Sequence, residues 1–124
     1  MEFGHIMDEI VAFARARNTR WAPCYNLVSR WLLANGVANV PSDSEARHWW
    51  FEDGPEDGLA AAAERMGLIE REPRPGDVAV LDQSPGPEPI LGLVASNGFC
   101  VARSFGVLAV WKPKILRSWG VIRG

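Results

Sequence analysis

Apolar and polar positions alternate with two different periods along this chain. The first half follows the helical period. "DEIVAFARAR" places Ile10, Val11, Phe13 and Ala14 on one side, with Asp8 and Glu9 in the first turn and Arg15 and Arg17 in the last. That charge order suits a helix dipole, so a helix is predicted there. "PCYNLVSRWLLANG" predicts a second helix, with Pro23 near its first position and Gly36 at its end. Cys24, Leu27, Val28, Trp31 and Leu32 share one stripe, and Arg30 points elsewhere. In "PSDSEARHWWF", Ser42 and Glu45 have the spacing of a capping box, which predicts a short helix through Trp50. "EDGPEDG" predicts a turn-rich break, and "LAAAAERMGL" a helix ending near Gly67.

From Arg71 onward the period shortens to two. "REPRPGD" is a rigid leading loop, and "DVAVLD" alternates with Val78, Val80 and Asp82 on one face and Ala79 and Leu81 on the other. "ILGLVAS" and "FCVARSF" flank Asn97-Gly98, which predicts a two-residue type I′ hairpin. "GVLAVWK" predicts another strand, broken by Pro113, and "ILRSWGVIR" a final edge strand. Helices first and an antiparallel meander second make an α+β domain with helices packed on one face of a small sheet. At 124 residues this is one domain, 1–124. It divides into an N-terminal arm and helix (1–18), a helical half (19–72) and a β half (73–124).

Composition narrows the function classes. A hydrophobic fraction of 48% is that of a globular domain, and a net charge of −2 aims no broad field at nucleic acid or anionic lipid. Nucleic-acid partners are not expected. Neither is a membrane span, because no apolar run approaches the roughly 20 residues one needs. "MEFGHIMDEI" has no basic start followed by an apolar run, so no signal peptide is expected. Two cysteines, Cys24 and Cys100, make neither a disulfide framework nor a zinc site. Glu52, Asp53, Glu56 and Asp57 lack calcium-loop spacing, and phosphate-binding glycine motifs are missing. No metal or cofactor is expected.

Two residues carry candidate chemistry. Cys24 lies in a first helical turn, where the dipole and free N–H groups favour the reactive thiolate. It also lies on the apolar stripe, and free cysteines are most often buried and inert, so the core reading takes precedence. His48, in "RHWWF", is a weak candidate base or an exposed helix residue. The adjacent aromatics Trp49, Trp50 and Phe51 cannot all face one core, and either dock a partner or cap the core under the Pro-rich loop.

The order "WAPCYNLVSRWLLANG", "AAAAERMGL", "RPGDVAVLD", "PILGLVASNGFCVA" and "FGVLAVWKPKILRSWGV" resembles a family of small NlpC-type, papain-like proteins. These occur in tail modules of tailed phages and gene transfer agents. The resemblance spans roughly Thr19 to the C-terminus, and the order and spacing of the pieces carry it. It implies a papain-like fold in which Cys24 occupies the nucleophile position for attack on a cell-wall stem peptide. A His starting the strand after the Gly-Asp-Val turn would be the base, and Asp77 belongs to that structural turn. Two departures stand out: Pro23 replaces the usual acidic residue, and Ile90 or Leu91 stands where the His is expected. The resemblance therefore implies a structural tail-tip or hub (baseplate) component, a pseudoenzyme assembled into the virion in the host cytoplasm. Its partners would be other tail-tip or hub proteins. The alternative is an active cysteine peptidase or amidase that opens peptidoglycan as the genome passes into the cell.

Overall fold

The structure is a computed structural model that describes residues 23–82, 89–104 and 107–121. The helix expected around residues 8–17 lies outside the described residues. Among the described residues three helices come first: α1 (Pro23–Ala34), α2 (Asp43–Glu52) and α3 (Pro55–Met66). Six strands follow: β1 (Leu68–Glu70), β2 (Val78–Leu81), β3 (Ile90–Val94), β4 (Cys100–Ser104), β5 (Val107–Trp111) and β6 (Ile115–Val121). They form one antiparallel sheet in the order β1-β6-β2-β3-β4-β5. The protein is thus α+β with a small antiparallel sheet.

The local signals act as their chemistry dictates. The Ser42 N–H donates to Glu45 Oε1 and the Glu45 N–H donates to Ser42 Oγ, both at 3.2 Å, which closes the capping box of α2. At the end of α1, Gly36 N–H donates to Leu33 O and Val37 N–H to Leu32 O, with Gly36 at φ 79°. This is a Schellman motif, and buried Val37 and Leu32 belong to one core cluster. The acidic break is shorter than its sequence suggests. Pro55 starts α3, so Glu56 and Asp57 lie in its first turn, where the dipole favours their charge. Asn97 and Gly98 have φ of 57° and 80° and the Phe99 N–H donates to Ser96 O, as in a type I′ turn, but Val94 pairs with Cys100 and the Ala95 N–H donates to Phe99 O, so the connection holds three residues, 96–98, and not the two expected.

Two further expectations change. Leu68–Glu70, between the helix expected to end near Gly67 and the loop expected from Arg71 and given no strand, forms the short edge strand β1. The last strand, expected at an edge, runs between β1 and β2 instead. Residues 49 to 53 positions apart are paired between β1 and β6, as in Leu68 with Val121, and no local pattern encodes such a pairing.

The helices cover one face of the sheet. Leu27, Val28, Trp31 and Leu32 of α1 pack with Leu59, Ala62 and Ala63 of α3 on Val78, Val80, Leu91, Leu93 and Val101. The opposite face is also buried, through Ala79, Leu81, Ile90, Val94, Cys100 and Ala102. The short β5–β6 connection explains why. Trp111 is level, through Cys100 and Val94, with the start of β2, whereas Ile115 pairs with Leu81 at its end. In a flat sheet, four strand spacings alone would separate β5 from β6 by about 19 Å. Three residues, Lys112 to Lys114, span at most about 14 Å. The sheet must therefore coil until β5 approaches β6 across this second face. A bulge in the β2–β6 pairing beside Val80 and Leu81 supplies a bend, and Trp111 and Ile115 pack on the second cluster. The tight interior accounts for its small residues. A Cβ on Gly92 would stand 2.6 Å from Leu81 Cδ1 and 2.9 Å from the Val101 carbonyl oxygen. Gly92→Ala is expected to lower stability by about 1–3 kcal/mol in chemical denaturation, because a backbone atom must give way.

Candidate functional site

The candidate site is assembled from the head of α1, the turn before β2 and the start of β3. Cys24 is the second residue of α1, a position beside the N–H groups that a first helical turn leaves unpaired. Its side chain, like those of Trp49, Trp50 and Phe51, lies outside the described residues. The next residue, Tyr25, is buried and its hydroxyl donates to the Pro41 carbonyl, which ties the start of α1 to the loop before α2.

The other end of α1 is fastened to the Gly76–Asp77 turn. The Trp31 indole N–H donates to Gly76 O at 3.0 Å. Gly76, at φ 91°, donates to Val94 O, and Val94 N–H donates to Asp77 O, both at 2.8 Å. The Asp77 side chain is 2% exposed. Its carboxylate accepts from Arg71 Nε at 3.1 Å and Arg71 Nη2 at 2.7 Å, and from the Arg74 backbone N–H at 3.1 Å. Arg71 is held in turn by β6: its N–H donates to Ser118 O, and its carbonyl accepts from Ser118 Oγ at 2.6 Å. A Cβ on Gly120 would collide with the Arg71 guanidinium and the Asp77 carboxylate, so any side chain there has to displace this ion pair. Asp77 thus links β1, β2 and β6, an architectural role in keeping with the turn assigned to it by sequence. The importance of Arg71 was not visible from spacing, because the "RPGD" stretch says nothing of which cation folds back on it.

At the start of β3, Ile90 pairs with Leu81 and Leu91 with Val80. Ile90 is 9% exposed and belongs to the inner cluster, whereas Leu91 is fully buried under the helices. Neither side chain can take a proton. His48 is exposed on α2. It lies two residues from buried Ala46, about 200° around the helix, on the face turned away from the core. α2 makes few contacts with α1, and its main packing partner is α3. No described contact joins His48 to the head of α1.

The second cysteine has a different environment. Cys100 is fully buried in the inner cluster, its thiol 3.8 Å from Gly98 O, and burial pushes it from its ordinary 9.0 up to about 11. On the sheet's β1–β6 side a shallow groove of about 410 Å³ is lined by Glu70, Arg71, Arg117 and Ser118, among others. Its cations are already engaged. Arg117 forms a bidentate pair with Glu70 at 2.8 and 2.7 Å and stacks 4.9 Å above the Trp119 ring. The paired guanidinium lowers the Glu70 carboxyl below its usual range. Among the described residues no three His, Cys, Asp or Glu side chains gather as a metal site, and no described helix is long and apolar enough to cross a membrane.

Compared with protein-family models, with curated proteins and with solved structures, the chain matches none.

Two outcomes are expected of these groups. Asp77→Ala leaves Arg71 part-buried without its carboxylate, and equilibrium unfolding should record a loss on the order of 3 kcal/mol. The Cys100 thiol is held protonated when folded, so its contribution to stability is full below pH 9 and fades as pH rises from 9 toward 11. By pH 11 the loss reaches on the order of 2 kcal/mol. Unfolding measured across that range should show a shallower decline in Cys100→Ala than in the parent chain.

Proposed function

We propose that this chain is a structural component of a phage-like tail tip or hub, built on an NlpC-type, papain-like scaffold whose peptidase chemistry has been lost. One observation carries the reading. Both positions at which the family pattern would supply the base, Ile90 and Leu91, are aliphatic, buried and paired within the sheet. A cysteine hydrolase needs a nearby proton acceptor to form its thiolate and to protonate the leaving amine. General acid–base catalysis alone contributes typically ~10²–10⁴-fold. The Trp31–Gly76–Asp77 fastening that holds α1 on the sheet is fully formed, so the scaffold persists independently of a base. On this reading the protein acts through what it docks onto, namely other tail-tip or hub proteins, with peptidoglycan as a further candidate contact.

The alternative, an active cysteine peptidase or amidase acting on peptidoglycan, is favoured by the place of Cys24 in the first turn of α1. His48 would then have to act from the exposed face of α2, or another group would have to serve.

Muropeptide release separates the two. Wild type and Cys24→Ala are expected to release equal, background amounts from purified peptidoglycan. Release by wild type alone, with the melting temperature unchanged in the variant, establishes the alternative. The pH dependence of Cys24 alkylation supplies an independent readout: a thiolate formed well below the ordinary cysteine range marks a poised nucleophile. The structural reading also expects the chain in purified particles at a fixed ratio to hub proteins, and its absence by mass spectrometry rules that reading out.

A further inference from the structure

The geometry points to β5 as a self-pairing edge, through which two copies of this chain join their sheets antiparallel about a two-fold axis at Ala109. The sheet has two edges of opposite character. β1 is only three residues long and carries Glu70, tied to Arg117, with Arg71 directly after it. Short, charged edges resist further pairing. β5 is five residues long, pairs with β4 on one side, and has no described strand on the other. Its sequence, "VLAVW", contains neither a charge nor a proline, and Lys112 and Pro113 come only after it. Val110 is 41% exposed, one of the few large apolar residues in that condition among those described.

An unpaired strand edge specifies its own occupant, because its N–H and C=O groups are satisfied by another extended strand. A second copy brings matching residues to this edge. Antiparallel pairing centred on Ala109 sets Leu108 opposite Val110 and Val107 opposite Trp111, so every cross-strand pair is apolar. Like charges directly opposite would oppose pairing, and none occurs. The two Lys112 residues fall at opposite ends of the paired segment, about 20 Å apart along the strands. The contact is isologous, so it closes at two copies and does not propagate. An edge of five residues buries less than the roughly 1,200–2,000 Å² of a standard interface, so a reversible, concentration-dependent dimer is expected.

Sedimentation velocity of the full chain across the micromolar range should show a monomer–dimer equilibrium. Val110→Lys should shift it to monomer while leaving the circular dichroism spectrum unchanged, since Val110 is exposed. Cross-linking fixes the register. In a Cys24→Ala background, Ala109→Cys should form a disulfide-linked dimer on mild oxidation, because a residue facing its own copy across antiparallel strands lies about 4.5–5.5 Å away between Cα atoms. Lys112→Cys should not. A wild type that stays monomeric throughout, a Val110→Lys dimer as tight as wild type, or equal cross-linking at positions 109 and 112 overturns the proposal.

Discussion

The reach of three residues governs much of this structure. Lys112, Pro113 and Lys114 join an edge strand to one that lies on the far side of three others in the sheet. A flat sheet cannot accommodate that connection, so the strands coil and the second face closes on itself. The Asp82 N–H donates to the Lys114 carbonyl at 2.9 Å, fastening the end of the connection to the end of β2. Coiling has a chemical consequence. It makes an interior whose buried residues are small or aliphatic, and Ile90, at the start of β3, is drawn into it. A residue there is shielded from water and faces Leu81, not the head of α1. The neighbouring position, Leu91, points the other way and is fully covered by the helices. The apolar residues at the start of β3 are therefore integral to both cores.

The Asp77 carboxylate is the second organising element. Its two oxygens take three hydrogen bonds, two from Arg71 and one from the Arg74 backbone, so the buried charge is well satisfied. The same turn carries the Gly76 carbonyl that receives the Trp31 indole. Helix placement, edge strand and central strand are thus tied at a single turn. A buried ion pair of this kind contributes little net stability over a well-packed apolar substitute, yet it is costly to break from one side. Its value lies in register: with Asp77 bound to Arg71, β1 and β6 have one way to pair.

Much of the local structure was legible in sequence because it is decided by neighbours. Ser42 and Glu45 are three residues apart, Gly36 follows the last apolar residue of α1, and Asn97-Gly98 can both adopt positive φ. The placement of β6 was not legible. Glu70 meets Trp119 and Val78 meets the same residue from the other side, pairings that only the folded sheet brings about. The alternation in "DVAVLD" correctly assigned Val78 and Val80 to one face and Ala79 and Leu81 to the other. All four residues are buried, because coiling covers the second face. The candidate site divides along the same line. Cys24 and the apolar start of β3 are visible in the order of residues. Whether a base approaches Cys24 depends on how separate elements meet, and residue order does not carry that.

On the proposed reading the scaffold outlasts its chemistry because the forces that hold it differ from those that catalysis needs. The stability of α1 rests on Leu27, Val28, Trp31 and Leu32, and on the indole bond to Gly76, none of which is a proton carrier. An imidazole at the start of β3 would have to keep one face polar beside an otherwise aliphatic interior, and buried polar groups cost free energy unless fully bonded. Once a protein is used for what it docks onto, aliphatic residues at that place are favoured by packing alone. On that reading the selective burden passes from the Cys24 position to the surface. There the contrast between a charged three-residue edge and an uncharged five-residue one becomes the feature that a partner can read.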